Sequence, residues 1–161
     1  MQIDLWRDED EDKDSDDEKD DIIVEGRLNK AQLLDLDPYT TYNVRVRVLN
    51  TEYEGPYSKE VTFITDEGKP GAVQNLEVRQ VSSNDVFVEW DEPEDPQGEI
   101  EQYLITYEAM DDAEDPSEED DDDRDIYVDG SEFLAKISHL KPGVEYEILV
   151  YARTEAGFGN E

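Results

Sequence analysis

The segment DIIVEGRLNKAQLLDLDPYTTYNVRVRVLNTEYEG (residues 21–55) lies without a gap over DIYVDGSEFLAKISHLKPGVEYEILVYARTEAGFG (residues 125–159). Asp21, Ile22, Val24, Gly26, Ala31, Leu36, Pro38, Tyr42, Val46 and Gly55 meet the same residue type 104 positions later. A period of about one hundred residues is a repeat of domains, not of solenoid turns. Within each copy the apolar residues alternate. TYNVRVRV places Tyr42, Val44, Val46 and Val48 on one side and Asn43, Arg45 and Arg47 on the other. EYEILVYA does the same with Tyr146, Ile148, Val150 and Ala152. Period-two alternation is the mark of a strand with one buried face.

Other segments follow the same rule. DVFVEW aligns Val86, Val88 and Trp90; YLITYE aligns Tyr103, Ile105 and Tyr107; EVTFIT points Val61 and Phe63 inward. Gly and Pro punctuate the gaps in DEGKPGA, DEPEDPQGE, HLKPG and EAGFG. Short strands, frequent turns and no helical periodicity imply an all-β sandwich.

Charge divides the chain differently. The 161 residues carry a formal net charge of −33. Two runs, DEDEDKDSDDEKDD (8–21) and DDAEDPSEEDDDDRD (111–125), hold 22 of the 47 acids, leaving 25 against 11 of the 14 bases. Nucleic acid and anionic lipid both need Lys and Arg against phosphate, so neither is an expected partner. Cations and basic proteins are favoured. The chain has no cysteine, hence no disulfide and no thiolate metal site. It has no apolar run long enough to span a bilayer, no signal-peptide pattern at MQIDLWRDED and no Asn-x-Ser/Thr site.

The ordered motifs resemble tandem fibronectin type III domains. Leu36-x-Pro38-x-x-x-Tyr42 and Leu140-x-Pro142-x-x-x-Tyr146 match that family's passage from strand E to strand F. The tyrosine there is similar to the tyrosine corner, whose hydroxyl meets nearby backbone. VFVEW with EPEDPQGEIEQYLITYE matches strand B with its tryptophan, the proline-rich B–C loop and strand C. EYEGPYSKEVTFIT matches the F–G loop and strand G. The resemblance implies two immunoglobulin-like sandwiches, both truncated. Residues 1–66 would lack strands A and B, with MQIDLW as strand C; residues 67–161 would run from strand A (QNLEVRQV) but lack strand G. TDEGKPGA would be a short linker between them. The acidic runs would be the same C–C′ loop in each copy, expected to be solvated and self-repelling.

Candidate sites follow from these placements. Asp10, Asp12, Asp14, Asp120 and Asp122 are weak calcium candidates, since carboxylate oxygens suit that ion. Their spacing is not that of an EF-hand: Ser15 stands where its glycine belongs and Asp21 where its bidentate glutamate belongs. No cofactor is otherwise expected. His139 is the only histidine, which argues against zinc or a catalytic pair. No Ser/His/Asp set, phosphate loop or Arg-Gly-Asp is present. Glu94 and Gln97 in the B–C loop and Glu155 and Phe158 in the F–G segment are protein-contact candidates, because those loops share one end of the fold. Trp6 follows Leu5 in a strand, so one of the two faces outward; an outward Trp6 joins that set. Trp90, Tyr42, Tyr146, Leu36, Leu140, Pro38 and Pro142 are expected to be structural, with Tyr103 and Tyr107 in the core rather than on a carbohydrate platform.

The resemblance implies a non-catalytic segment that binds a protein partner, basic in character, and spaces neighbouring fibronectin type III domains. Its setting would be the extracellular part of a membrane-anchored receptor or adhesion protein, with any kinase or phosphatase elsewhere in the parent. The other readings are a cytoplasmic scaffold repeat, favoured by the absence of cysteine, and a cation-binding matrix or secreted-enzyme accessory module.

Overall fold

The computed structural model describes residues 1–7, 20–24, 29–110 and 125–160. The described chain is all-β and forms two compact units, Met1–Asp66 and Glu67–Glu161. Most of the acidic runs, including Asp10, Asp12, Asp14, Asp120 and Asp122, lie outside the described residues.

The first unit holds one four-stranded antiparallel sheet among its described residues, in the order β2 (Asp20–Ile23), β1 (Gln2–Arg7), β3 (Thr41–Arg47), β4 (Val61–Ile64). Register places Ile3 opposite Val46, Leu5 opposite Val44, and Val44 opposite Val61. This apolar face buries Ile3, Leu5 and Tyr42, and Tyr42 stacks on Phe63 at 6.0 Å. Phe63 is half-buried, as its inward position requires. Val61 is not: it is 58% exposed. It shares the inward face, but β4 is an edge strand, and no second sheet of this unit faces it among the described residues. Alternation fixed its side of the sheet and not its cover.

Among its described residues the second unit has two sheets. One runs β5 (Gln74–Gln80), β6 (Val86–Asp91), β9 (Leu134–Ile137); the other runs β11 (Gly157–Phe158), β10 (Tyr146–Thr154), β7 (Gln102–Ala109), β8 (Asp125–Asp129). Their inner faces meet in one core of Val88, Trp90, Ala135 and Ile137 with Tyr103, Ile105, Val150 and Ala152. This is the two-layer packing of a β-sandwich. The alternation read from sequence in β6, β7 and β10 corresponds to these inward positions. Strand β5 carries a bulge between Gln74 and Glu77, with Asn75 at φ 49°. Asparagine is among the few residues that tolerate this left-handed backbone.

The stretch TDEGKPGA, expected to be a linker, is largely built into the second unit. The Gly68 N–H donates to the Gln97 carbonyl at 2.8 Å, and its carbonyl accepts from Thr154 Oγ1 at 2.7 Å. Pro70 is buried. A Cβ on Gly159 would stand 2.0 Å from the Pro70 oxygen, so glycine alone allows that approach. Only the start of the stretch, up to Asp66, belongs to the first unit.

Trp90 and Tyr103 cross between the two sheets, edge to face at 5.3 Å. Among the described residues, Trp90 Nε1 and the Tyr103 hydroxyl are the buried side-chain polar atoms without a hydrogen-bond partner. Burial, with the negative charge of Glu92, pushes the Tyr103 phenol up to about 12, against the indole N–H of Trp90, which lies near without completing a hydrogen bond. An unfolded tyrosine ionises near 10, so from about pH 10 to 12 the unfolded chain gives up this proton and the folded chain keeps it. The stability so contributed is fully present below pH 10 and is lost as pH rises through 12, at roughly 1.4 kcal/mol per unit. Tyr103→Phe is expected to remove this component of alkaline unfolding, while costing little at pH 7 because the lost hydroxyl has no partner. Urea unfolding of wild type and variant at pH 7 and 11 checks it; an unchanged pH dependence would assign the effect to other tyrosines.

Candidate functional surfaces

Both tyrosine corners are formed. Asp37 N–H donates to the Tyr42 hydroxyl at 3.0 Å, and Lys141 N–H donates to the Tyr146 hydroxyl at 3.0 Å. The donor stands five residues before the tyrosine in both units, so the Leu-x-Pro-x-x-x-Tyr spacing builds one geometry twice. Leu140 is buried, Leu36 and Pro38 are half-buried, and Pro142 is exposed. The glycine-like backbone of Asp35 (φ 57°) recurs at His139 (φ 66°), which is an exposed turn residue.

Two segments of the second unit that carry contact candidates, the β6–β7 loop with Glu94 and Gln97 and the β10–β11 turn with Glu155, are tied together. Glu67, which nothing in the sequence singled out, joins them. Its Oε1 accepts from the Glu99 N–H at 3.0 Å and its Oε2 from the Glu155 N–H at 2.9 Å. One carboxylate therefore ties the β6–β7 loop to the β10–β11 turn. A Cβ on Gly98 would come within 2.7 Å of the Glu67 carboxyl carbon, so a side chain there would push the carboxylate off its two donors. Gln97 adopts φ 51° and donates from Nε2 to Asp95 at 2.8 Å. Glu94 and Glu155 are exposed. Phe158, expected in a loop, pairs with Arg153 as part of β11, and the Arg153 guanidinium lies 5.5 Å from its ring centre. Glu67→Ala should lower stability by about 1–2 kcal/mol, since two backbone donors lose a charged acceptor. Amide exchange at Glu99 and Glu155 should accelerate about tenfold, a factor worth 1.4 kcal/mol. Unchanged exchange at both would show that the carboxylate does not hold the loops.

In the first unit the outward face of the sheet is built around Arg45. Asp4, only 2% exposed, accepts from Arg45 Nε at 2.9 Å, and Arg45 Nη2 lies 2.8 Å from the same oxygen. The guanidinium sits 3.9 Å from the Tyr57 ring centre and 5.4 Å from that of Trp6. Arg47 adds a second cation 4.8 Å from the Tyr57 ring centre, bonds Gln2 at 2.9 Å and pairs with Glu54. Partial burial would lower the Arg45 pKa, but the Asp4 carboxylate holds it above its ordinary value. Burial and then Asp4 push the Tyr57 phenol up, against Arg47 and Arg45. Leu5 takes the buried side of β1 and Trp6 is half-buried on this outward side. Sequence alternation put the arginines outward; the partners that make them a stack were not legible from it.

Neither surface pairs an acid with a base in a pocket, and among the described residues no three His, Asp or Glu side chains are grouped to hold a metal ion. The model of the fibronectin type III domain matches residues 3–64 and 71–161. The chain belongs to the fibronectin type III family. Its relatives include the rat (Rattus norvegicus) neuronal cell adhesion molecule, 27% identical over 89% of this chain and 12% of that protein. Chicken (Gallus gallus) receptor-type tyrosine-protein phosphatase U is 33% identical over 84% of the chain and 10% of its own length. Zebrafish (Danio rerio) neural cell adhesion molecule L1.1 is 34% identical over 78% and 10%. The chain thus spans about a tenth of the curated relatives it matches. Domains d3–d4 of the rat CD45 extracellular region share the fold, with a TM-score of 0.59 at 20% identity over 86% of this chain and 69% of that one. Fibronectin type III domains are generally non-catalytic, and the relatives are adhesion molecules and receptor phosphatases.

Proposed function

We propose that this chain is a non-catalytic, protein-binding and spacing segment of the extracellular part of a membrane-anchored adhesion or receptor protein. The observation that carries the reading is the likeness, over most of both units, to adhesion molecules and a receptor phosphatase. The geometry agrees with it. The Glu67 clamp and the Arg45 stack hold loops and side chains in fixed positions without a reaction centre, and preorganised surfaces bind with less ordering cost. A protein partner with basic character suits a chain of net charge −33, since complementary charge speeds encounter and favours such partners.

The test is binding of the fluorescent, tetramerised chain to intact cells. The proposal predicts saturable binding that is lost when the cells are stripped with trypsin. Binding that never saturates, or that survives trypsin unchanged, would contradict it.

A further inference from the structure

The two units use the outward face of corresponding sheets in opposite ways. Val46 and Val150 occupy the same place in the repeat, and Ile3 and Ile105 are their cross-strand partners. One residue along, the first unit sets Asp4 against Arg45, where the second sets Thr106 against Leu149. Where the first unit sets Gln2 against Arg47, the second sets Leu104 between Tyr127 and Tyr151. The first unit fills this face with its own ion pair and aromatic stack. The second leaves apolar side chains there, with Leu104, Leu149 and Tyr151 half-buried and Tyr127 53% exposed. Beside them lies an open groove of about 260 Å³, lined by Thr106, Tyr107, Glu108, Glu147 and Leu149.

Glu108 stands directly opposite Glu147. Like charges in that position repel and destabilise a strand pair. Exposed apolar side chains on a sheet face are likewise better covered than solvated. A ligand that covers Leu149 and brings a cation to the two carboxylates relieves both. We propose that the outward face of β8-β7-β10 docks an extended segment of a partner protein that carries apolar residues at two alternate positions and Lys or Arg at the next alternate one, all on one side. Alternate residues of an extended segment share a side, so apolar side chains at i and i+2 would cover Leu104, Tyr151 and Leu149 while a cation at i+4 reaches Glu108 and Glu147, the order in which β7 and β10 present these pairs. The proposal rests on reading the chain as a protein-binding segment, and it names the surface and the chemistry of the partner.

The direct test titrates the full chain with a Lys-Leu nonapeptide, Ser-Leu-Ser-Leu-Ser-Lys-Ser-Lys-Ser, and follows backbone amide shifts by NMR. The controls replace both Leu by Ser (Lys-Ser) or both Lys by Glu (Glu-Leu). The expected result is shifts centred on Thr106, Glu108, Glu147 and Leu149, with affinity at least about tenfold above either control. Glu108→Gln with Glu147→Gln should weaken Lys-Leu binding about tenfold without lowering the melting temperature, because the repelling pair is gone. Leu149→Ser should weaken it by a similar factor. Equal binding of the Lys-Ser peptide, shifts centred elsewhere, or unaffected variants would each overturn the proposal. The same variants in the cell-binding assay separate the two ideas. Reduced binding supports this face, and unchanged saturable binding removes it while leaving the protein-binding reading intact. If the wild-type chain binds no cells, that reading fails and the peptide titration alone decides the surface.

Discussion

Trp90→Ala should destabilise the second unit by about 3–5 kcal/mol, the range for removing a fully buried tryptophan from a packed core. Trp90 is 1% exposed and spans the gap between the sheets, with its ring against Tyr103. Its removal leaves a cavity lined by residues of both layers, and the paired strands around it limit how far they can close in. The chain has two tryptophans, Trp6 in the first unit and Trp90 in the second. In the variant, Trp6 fluorescence therefore reports the first unit alone, while urea unfolding followed by far-UV circular dichroism includes the second. The loss should appear only in the second signal. A loss below about 1 kcal/mol would mean that Trp90 does not join the two layers.

Asp4→Ala should cost the first unit about 2–3 kcal/mol. Removing one partner of a fully buried ion pair costs about 3–5 kcal/mol, because the other charge is left in place. Asp4 is buried but the Arg45 side chain is 28% exposed, so solvent recovers part of that loss. The stack on Trp6 and Tyr57 would also loosen, since Asp4 fixes the guanidinium between the rings. Fluorescence during urea unfolding measures the change in a Trp90→Phe background, where Trp6 is the remaining tryptophan. A shift below about 0.5 kcal/mol would reduce this pair to an ordinary surface ion pair.

Much of the fold was legible because it depends on local period and spacing. The inward positions of Val88, Trp90, Tyr103, Ile105 and Val150 follow from alternation, and both tyrosine corners follow from one seven-residue pattern. What could not be read depends on neighbours distant in sequence. Ala135 is buried in β9, paired with Val88, whereas its counterpart Ala31 is exposed and in no strand. The residue type is the same; the first unit has no strand equivalent to β6 among its described residues to pair with it. Val61 was placed on the correct side of its sheet for the same reason that its exposure was missed. Glu67 carries no motif, and its role exists only once two loops 32 and 88 residues away reach its oxygens. The Arg45 stack likewise needs Asp4, Trp6 and Tyr57, which only strand register and the path after β3 bring together.

A rigid fibronectin type III unit, built on a hydrogen-bonded sheet, protects the amides of its central strands from exchange. Residue-resolved amide hydrogen exchange of the whole chain therefore shows whether both units are such platforms. Slow exchange is expected in the central strands of both units: β1 and β3 in the first, and β6, β7 and β10 in the second. Slow exchange confined to the second unit, with β1 and β3 exchanging like an unstructured chain, would contradict it.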